Sequence, residues 1–177
     1  MNKPLTTKEV QAPVISRAKA AKYLFWARLS AKIFSKDPST KVMAVYLAPD
    51  SFEVLALGYN GMPRGIDDSD PKRWERPLKY MRVEHAERNG LYNASRRGVE
   101  MRGAIAIVTL FPCADCARAL IQSGIQAVVT TAPNMDDTRW DASFAISREM
   151  LLEVGIDLIL ITEEEVAFAA EASEIQL

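Results

Sequence analysis

The soft metal ligands of this chain are two cysteines and one histidine, and all three stand where a predicted helix begins. Cys113 and Cys116 occupy positions i and i+3 of one helix, so both thiols can face the same point. The positive end of the helix dipole favours thiolate over thiol. Two thiolates and the neutral imidazole of His85 balance the charge of Zn²⁺ and leave its fourth tetrahedral position open for water. The spacing therefore indicates a catalytic rather than a structural zinc site.

Glu87 lies two residues after His85 and is expected to project near the same site without serving as a ligand. A carboxylate beside the open zinc position can take a proton from water and hand it on. Each feature alone has an ordinary explanation, such as a helix cap or a charge that suits the helix dipole. A thioredoxin-like redox site would give His85 and Glu87 no role, and a structural zinc module would have no use for Glu87. The combination favours a hydrolytic enzyme.

The elements that must position these residues alternate along the chain in the order α-β-β-α-β-α-β-α-β-α. Short apolar strands joined by helices predict a mostly parallel sheet covered on both faces, after an initial hairpin over 41–60. A long functional loop is predicted at 61–77, and the first helix has an apolar stripe at Ala18, Ala21, Phe25, Leu29 and Ile33. The predicted helices cover residues 14–34, 84–97, 113–124, 138–155 and 163–177, and the predicted strands cover 41–48, 52–60, 103–111, 125–131 and 156–161.

Length and composition set the class of protein. A chain of 177 residues with 49% hydrophobic and 25% charged residues predicts one globular domain over 14–177, preceded by a flexible arm over 1–13. The net charge of -1 argues against binding to nucleic acid. No apolar run reaches the ~20 residues of a membrane helix, and no hydrophobic stretch of signal-peptide type precedes the first helix. The expected location is the cytoplasm, with no membrane partner.

The pattern H-x-E followed by P-C-x-x-C, which begins 27 residues after His85, is the signature of zinc deaminases that act on nucleobases. The chain resembles the cytidine deaminase superfamily over about residues 20–162, and is most similar to its deoxycytidylate (dCMP) deaminases. Within that superfamily, the sequence G-Y-N-G-M-P-R-G is the more specific pointer to the deoxycytidylate branch. The matching segments are residues 39–45, 58–65, 83–89, 109–117, 122–129 and 153–157.

The resemblance implies a three-layer α/β/α sandwich around a five-stranded mixed sheet, and hydrolytic deamination of dCMP to dUMP. It implies one zinc ion held by His85, Cys113 and Cys116, with Glu87 moving protons between water, the ring nitrogen and the leaving amine. Asn60 would hydrogen-bond the sugar. The base pocket would be lined by the backbone around Ala86 and by the edge from Thr109 to Pro112.

A nucleotide substrate carries a phosphate, so a nearly neutral chain must supply local cations. Lys41 and Arg64 flank the expected site and are the candidates. The resemblance also implies a homo-oligomer and regulation by dCTP and dTTP. The 61–77 loop and the C-terminal helix, with Val166, Phe168 and Ala169, are expected to offer contact surfaces.

Three segments depart from the family's usual pattern and leave the substrate open. Met43 replaces a glycine, Gly90 replaces an alanine, and the stretch 130–137 lacks a tyrosine whose space Trp140 could fill. The alternative is a deaminase of another base, a nucleoside or a modified nucleotide. An enzyme acting on tRNA or single-stranded DNA would need a basic groove with interleaved aromatic residues.

Overall fold

A five-stranded mixed sheet forms the centre of the computed structural model, which describes residues 14–134 and 138–173. The strand order is β2-β1-β3-β4-β5, and β1 pairs antiparallel with both of its neighbours. The pairs β3–β4 and β4–β5 are parallel, as expected where a helix connects successive strands. The strands are β1 (Met43–Leu47), β2 (Val54–Tyr59), β3 (Ile105–Val108), β4 (Ala127–Thr130) and β5 (Asp157–Leu160).

Helices cover both faces of this sheet and complete the three-layer α/β/α sandwich that the family resemblance implied. One hydrophobic core lies between the sheet and α1 and α6, and the other lies between the sheet and α3, α4 and α5. The central strands β1, β3 and β4 are buried along their whole length, which explains their uninterrupted apolar sequences. The helices are α1 (Arg17–Phe34), α2 (Lys79–Arg82), α3 (Ala86–Arg97), α4 (Ala114–Gln122), α5 (Asp141–Glu153) and α6 (Glu163–Glu171).

The apolar stripe predicted for α1 is wrong at both of its ends. Ala18 is exposed and the Ile33 side chain is 74% exposed, whereas Ala20, Leu24 and Ala27 are buried against the sheet. Both sets of residues recur at spacings of three and four, so periodicity alone could not choose between them. The face richer in alanine lies against the sheet, where small side chains let the helix approach closely.

The C-terminal helix α6 presents less apolar surface than predicted. Val166 and Ala169 are buried in the core that α6 shares with α1, so the prediction that they offer a contact surface is wrong. Phe168 is 73% exposed, in agreement with the prediction. Phe168 is exposed although its neighbour Ala169 is buried, because α6 packs only one side of the helix against the core.

The connection between β2 and α3 is more ordered than the predicted 61–77 loop. It contains a 3-10 helix at Pro71–Trp74, capped by Asp70, and then α2, which the sequence did not predict. An antiparallel bridge between Gly61 and Glu84 closes the base of the connection. The predicted arm over residues 1–13 lies outside the described residues. Within the described ranges, no helix is long and apolar enough to cross a membrane.

Candidate functional site

The three predicted metal ligands meet at the N-termini of α3 and α4. His85 and Cys113 are the N-cap residues of these two helices, and Cys116 lies in the first turn of α4. The His85 Nδ1 atom is 3.5 Å from the Sγ atom of Cys113 and 3.5 Å from that of Cys116. Tetrahedral zinc bonds of ~2.0–2.1 Å to nitrogen and ~2.3 Å to sulfur separate such atoms by about 3.5 Å. The donor set therefore fits a zinc ion in both chemistry and spacing.

The electrostatics of the cluster favour a deprotonated thiol. Hydrogen bonds from Cys116 and His85 outweigh burial and lower the pKa of Cys113 to about 4. Both cysteines are buried and free of disulfides. His85 is expected to bind metal through its Nδ1 atom, since this atom faces both sulfurs.

Glu87 lies in the first turn of α3, directly beside this cluster. Its side chain is only 4% exposed, and burial raises the pKa of its carboxyl group to about 7. A carboxyl group with a pKa near neutrality can both accept and donate a proton at physiological pH. The geometry thus places a carboxyl group with a pKa near neutrality next to three side chains that can hold a metal ion.

His85, Cys113 and Glu87 line a cavity of about 280 Å³. Its side wall is aromatic: the Trp140 ring lies 6.0 Å from the His85 ring and packs on Phe144, while Tyr80 meets Trp140 edge-on at 5.8 Å. A flat, apolar wall next to a metal site suits a planar heteroaromatic ring. The cavity is lined by Asp37, Thr40, Val42, Asn60, Arg76, Lys79, Tyr80, Val83, His85, Ala86, Glu87, Leu110, Phe111, Cys113, Asn134, Arg139, Trp140 and Phe144.

Asn60 lines the cavity as expected, but its side chain is committed to the protein. Its Oδ1 atom accepts hydrogen bonds from Ser35 Oγ at 2.7 Å and from the backbone N–H of Val42 at 2.9 Å. Its Nδ2 atom donates to the carbonyl of Thr40 at 2.7 Å and to Asp37 at 3.1 Å. These four bonds use the ordinary capacity of an amide. Contact between Asn60 and a sugar stays a prediction. It requires that one of these four hydrogen bonds be exchanged for a bond to the sugar.

The other predicted substrate residues lie at different distances from the cavity. Ala86 lines it. Thr109 is tied to β1, because its hydroxyl accepts a hydrogen bond from the backbone N–H of Met43, and Pro112 is buried between two residues of the lining. Contacts of Thr109 and Pro112 with a base stay predictions.

The two predicted phosphate contacts are exposed and engaged elsewhere. The Lys41 ammonium group donates to the carbonyl of Ser35 at 2.6 Å, and the Arg64 guanidinium group donates to the side chain of Asn93 on α3. Lys41 and Arg64 are both absent from the cavity lining, as far as the described residues define it. Their contact with a phosphate stays a prediction.

Sequence reasoning missed the cations that do line the cavity. Arg76, Lys79 and Arg139 contribute to its wall, and Lys79 is 5% exposed. The first two lie in or beside a four-residue helix, which is too short to give a periodic signal, within a charged stretch that resembles solvated loop. A lysine six residues before a metal-ligating histidine was the available signal, and spacing alone does not distinguish it from surface charge.

Comparison with a family model gives a match over residues 18–132, to the zinc-binding region of cytidine and deoxycytidylate deaminases. An uncharacterized deaminase of Aliivibrio fischeri is 36% identical over 126 residues, which is 71% of this chain and 82% of the relative. Human deoxycytidylate deaminase is 34% identical over 154 residues, which is 80% of this chain and 82% of the relative.

A solved structure supports the same fold. The dCMP deaminase of cyanophage S-TIM5, in complex with dCMP and dUMP, superposes with a TM-score of 0.65 at 21% identity. The superposition covers 83% of this chain and 99% of the cyanophage chain. The five-stranded sheet and its helices are thus an architecture already known for a deaminase.

Proposed function

This chain belongs to the family of cytidine and deoxycytidylate deaminases with a zinc-binding region, and we propose that it hydrolyses dCMP to dUMP and ammonia. The observation that carries the proposal is that the buried Glu87 lines an aromatic-walled cavity beside three convergent side chains that can hold zinc. Deoxycytidylate deaminases from several animals, at about 34–36% identity, support the choice of substrate.

The reaction joins a water oxygen to C4 of cytosine and breaks the bond between C4 and the amine. When bound, zinc supplies Lewis-acid activation of the water, whose pKa it brings towards ~7. Glu87 takes the first proton that the water loses and delivers it to ring N3. It takes the second proton and delivers it to the amine, which leaves as ammonia. The buried position of Glu87 keeps this exchange apart from bulk solvent.

The remaining cavity side chains orient the nucleotide. The ring of Trp140 is available to pack against the base, and Arg76 and Arg139 carry positive charge on the cavity wall. Lys79 and Asp37 neutralise each other there. The Arg76 guanidinium group suits a phosphate group, which arginine binds with charge-assisted hydrogen bonds. Arg64 and Lys41 remain proposed phosphate contacts that would require their side chains to turn towards the cavity.

The side-chain contacts of three predicted substrate residues favour a second candidate. This candidate is a deaminase that acts on another base, on a nucleoside or on a modified nucleotide. Lys41 and Arg64 are both engaged away from the cavity, and the amide of Asn60 is saturated by protein partners. These three residues were the predicted sugar and phosphate contacts. A substrate that does not rely on them would leave the zinc chemistry and the role of Glu87 unchanged.

The test is ammonia release by the purified, zinc-loaded protein from dCMP, deoxycytidine, CMP, dCTP, cytidine, guanine and adenosine. We expect the highest kcat/KM with dCMP. Arg76→Ala should lower kcat/KM for dCMP by about 10- to 100-fold, since a charge-assisted hydrogen bond contributes about 1.5–3 kcal/mol. The same variant should leave deoxycytidine nearly unaffected, and Arg64→Ala is compared in parallel. Equal turnover of deoxycytidine, or preference for a purine, would establish the second candidate instead.

The proposal includes assembly, regulation and location. A homo-oligomer would cover the exposed apolar side chains that remain, among them Phe168, and light scattering over a dilution series measures its mass. Regulation by dCTP and dTTP is tested by adding each nucleotide to the dCMP assay. A cytoplasmic location agrees with two cysteines that stay free as metal ligands.

A further inference from the structure

A buried ion pair joins the start of α2 to the connection between α1 and β1 at the wall of the cavity. The Lys79 ammonium group lies 2.7 Å from one carboxylate oxygen of Asp37 and 2.8 Å from the other, and donates to the Ser39 hydroxyl at 2.7 Å. The side chains of Lys79 and Asp37 are 6% and 1% exposed. Asp37 also accepts hydrogen bonds from the backbone N–H groups of Ser39 and Thr40 and from the Asn60 amide. All three donors of Lys79 are therefore used within this cluster.

The entrance segment, residues 62–83, has few other polar attachments to the described rest of the protein, although Tyr80 also packs edge-on against Trp140. Among the described residues, its backbone hydrogen bonds join residues of the segment itself, up to the bridge at Gly61 and Glu84. Its polar side-chain ties to the body are Arg64 to Asn93, Lys36 to Asp68, and Lys79 to Asp37 and Ser39. Within the same described part of the chain, the tie through Lys79 is the buried one.

The entrance segment supplies one wall of the cavity, whereas the metal ligands and Glu87 come from α3 and α4. Arg76, Lys79, Tyr80 and Val83 all face the cavity from this segment. A buried ion pair is weak evidence for a stabilising role, because desolvation offsets most of the attraction between its charges. Because it links the entrance segment to the α1–β1 connection at the wall of the cavity, this pair can instead fix the position of that wall.

We propose that Lys79 and Asp37 are positioning residues that clamp the entrance segment against the cavity and so set the affinity for substrate. The inference rests on the proposed deaminase function only for the identity of that substrate. Because the chemistry lies outside the segment, loosening the clamp should raise KM and leave kcat nearly unchanged.

The decisive variant is the double substitution Asp37→Asn with Lys79→Met, which removes both charges. Removing one partner alone would leave an unpaired buried charge and destabilise the fold, whereas removing both avoids that penalty. We expect KM for dCMP to rise about tenfold, equivalent to about 1.4 kcal/mol, with kcat within twofold. Amide hydrogen exchange in residues 62–83 should quicken in the free protein, while exchange in β3 and β4 stays the same.

The matched control is Lys36→Met, which breaks a surface ion pair that also joins the α1–β1 connection to the entrance segment. The Lys36 side chain is 67% exposed, so its pair with Asp68 should contribute little. KM and the exchange of residues 62–83 should both stay at the wild-type values in this variant.

Unchanged KM and unchanged exchange in the double variant would overturn the clamp. Should that variant not fold, Lys79→Arg makes the same comparison, because its planar group cannot set one nitrogen against both oxygens of Asp37. Absence of dCMP turnover by the wild-type protein would instead overturn the proposed function. The exchange measurement would still decide the clamp in that case.

Discussion

The Tyr46 hydroxyl donates a hydrogen bond of 2.7 Å to the backbone carbonyl of Glu87, and both residues are buried. The tyrosine reaches this carbonyl across the notch left by Gly90, where a Cβ atom would lie 2.4 Å from Cε2 of the Tyr46 ring. Strand β1 thus holds the first turn of α3, which carries Glu87, at a fixed depth beneath the cavity.

The Tyr46–Gly90 contact predicts a strong coupling between the two positions. Gly90→Ala should destabilise the protein by about 1–3 kcal/mol, because overpacking outweighs the gain of about 1 kcal/mol in helix propensity. In a Tyr46→Leu background the same change should cost much less, since the ring that it strikes is gone. Urea unfolding of the wild type, both single variants and the double variant measures the coupling. Additive free energies would contradict it.

Glu87→Gln separates proton transfer from metal binding. The amide keeps the size of the side chain and a hydrogen-bonding group but cannot carry protons. We expect one zinc per chain, normal substrate binding, and a kcat lower by at least ~10²–10⁴-fold. Zinc analysis and binding of dCMP to the inactive protein provide the controls. Near-normal turnover would reject the role proposed for Glu87.

Removal of zinc should abolish turnover and lower stability together. The ligand atoms of His85, Cys113 and Cys116 lie within 4.8 Å of one another, so without the ion they present two buried thiols and an imidazole at close range. A chelator should lower the melting temperature, and added zinc should restore both stability and activity. Cys113→Ala should lose metal and activity, with elemental analysis as the measurement. Full activity of a zinc-free protein would contradict the assignment.

Local signals in the sequence were sufficient for the elements of the fold and the zinc ligands, and the family resemblance implied the five-stranded mixed sheet of the sandwich. Each core strand is a continuous apolar run, and the chain has few cysteines and histidines to choose from. The first strand was predicted at 41–48 and is observed at Met43–Leu47, a typical error at element ends. The metal ligands were found because their residue types and spacing are specific.

The polar wall of the cavity could not be predicted, because it depends on contacts distant in sequence. Lys79 is buried only because Asp37, 42 residues earlier, neutralises it there. Arg64 was chosen for its place in a family-like segment, yet it contacts Asn93 on α3. Charged residues in loops carry no sequence signal that separates an ion pair in a cavity wall from solvated surface.

The pH dependence of stability should report the pair formed by Asp37 and Lys79. Burial by itself would raise the pKa of Asp37, but hydrogen bonds from Lys79, Ser39 and Thr40 outweigh it and hold the pKa below its usual value. A lowered pKa contributes stability above the unfolded value of ~3.9, and this stability is lost as the pH falls through the folded value. The wild type should therefore lose this contribution in acid.

The Asp37→Asn variant isolates that contribution. At pH 7 it should be less stable than the wild type by about 3–5 kcal/mol, because Lys79 is left buried without its partner. Below about pH 4 the difference should begin to shrink, and it should vanish only below the lowered folded pKa of Asp37, where protonation leaves Lys79 equally unpaired in the wild type. Acid weakens metal binding in both proteins, so the difference between them cancels that effect. Urea unfolding from pH 3 to 7 measures it, with Asp68→Asn at the exposed pair as the control. A difference that does not vary with pH would show that the charge of Asp37 does not stabilise the fold.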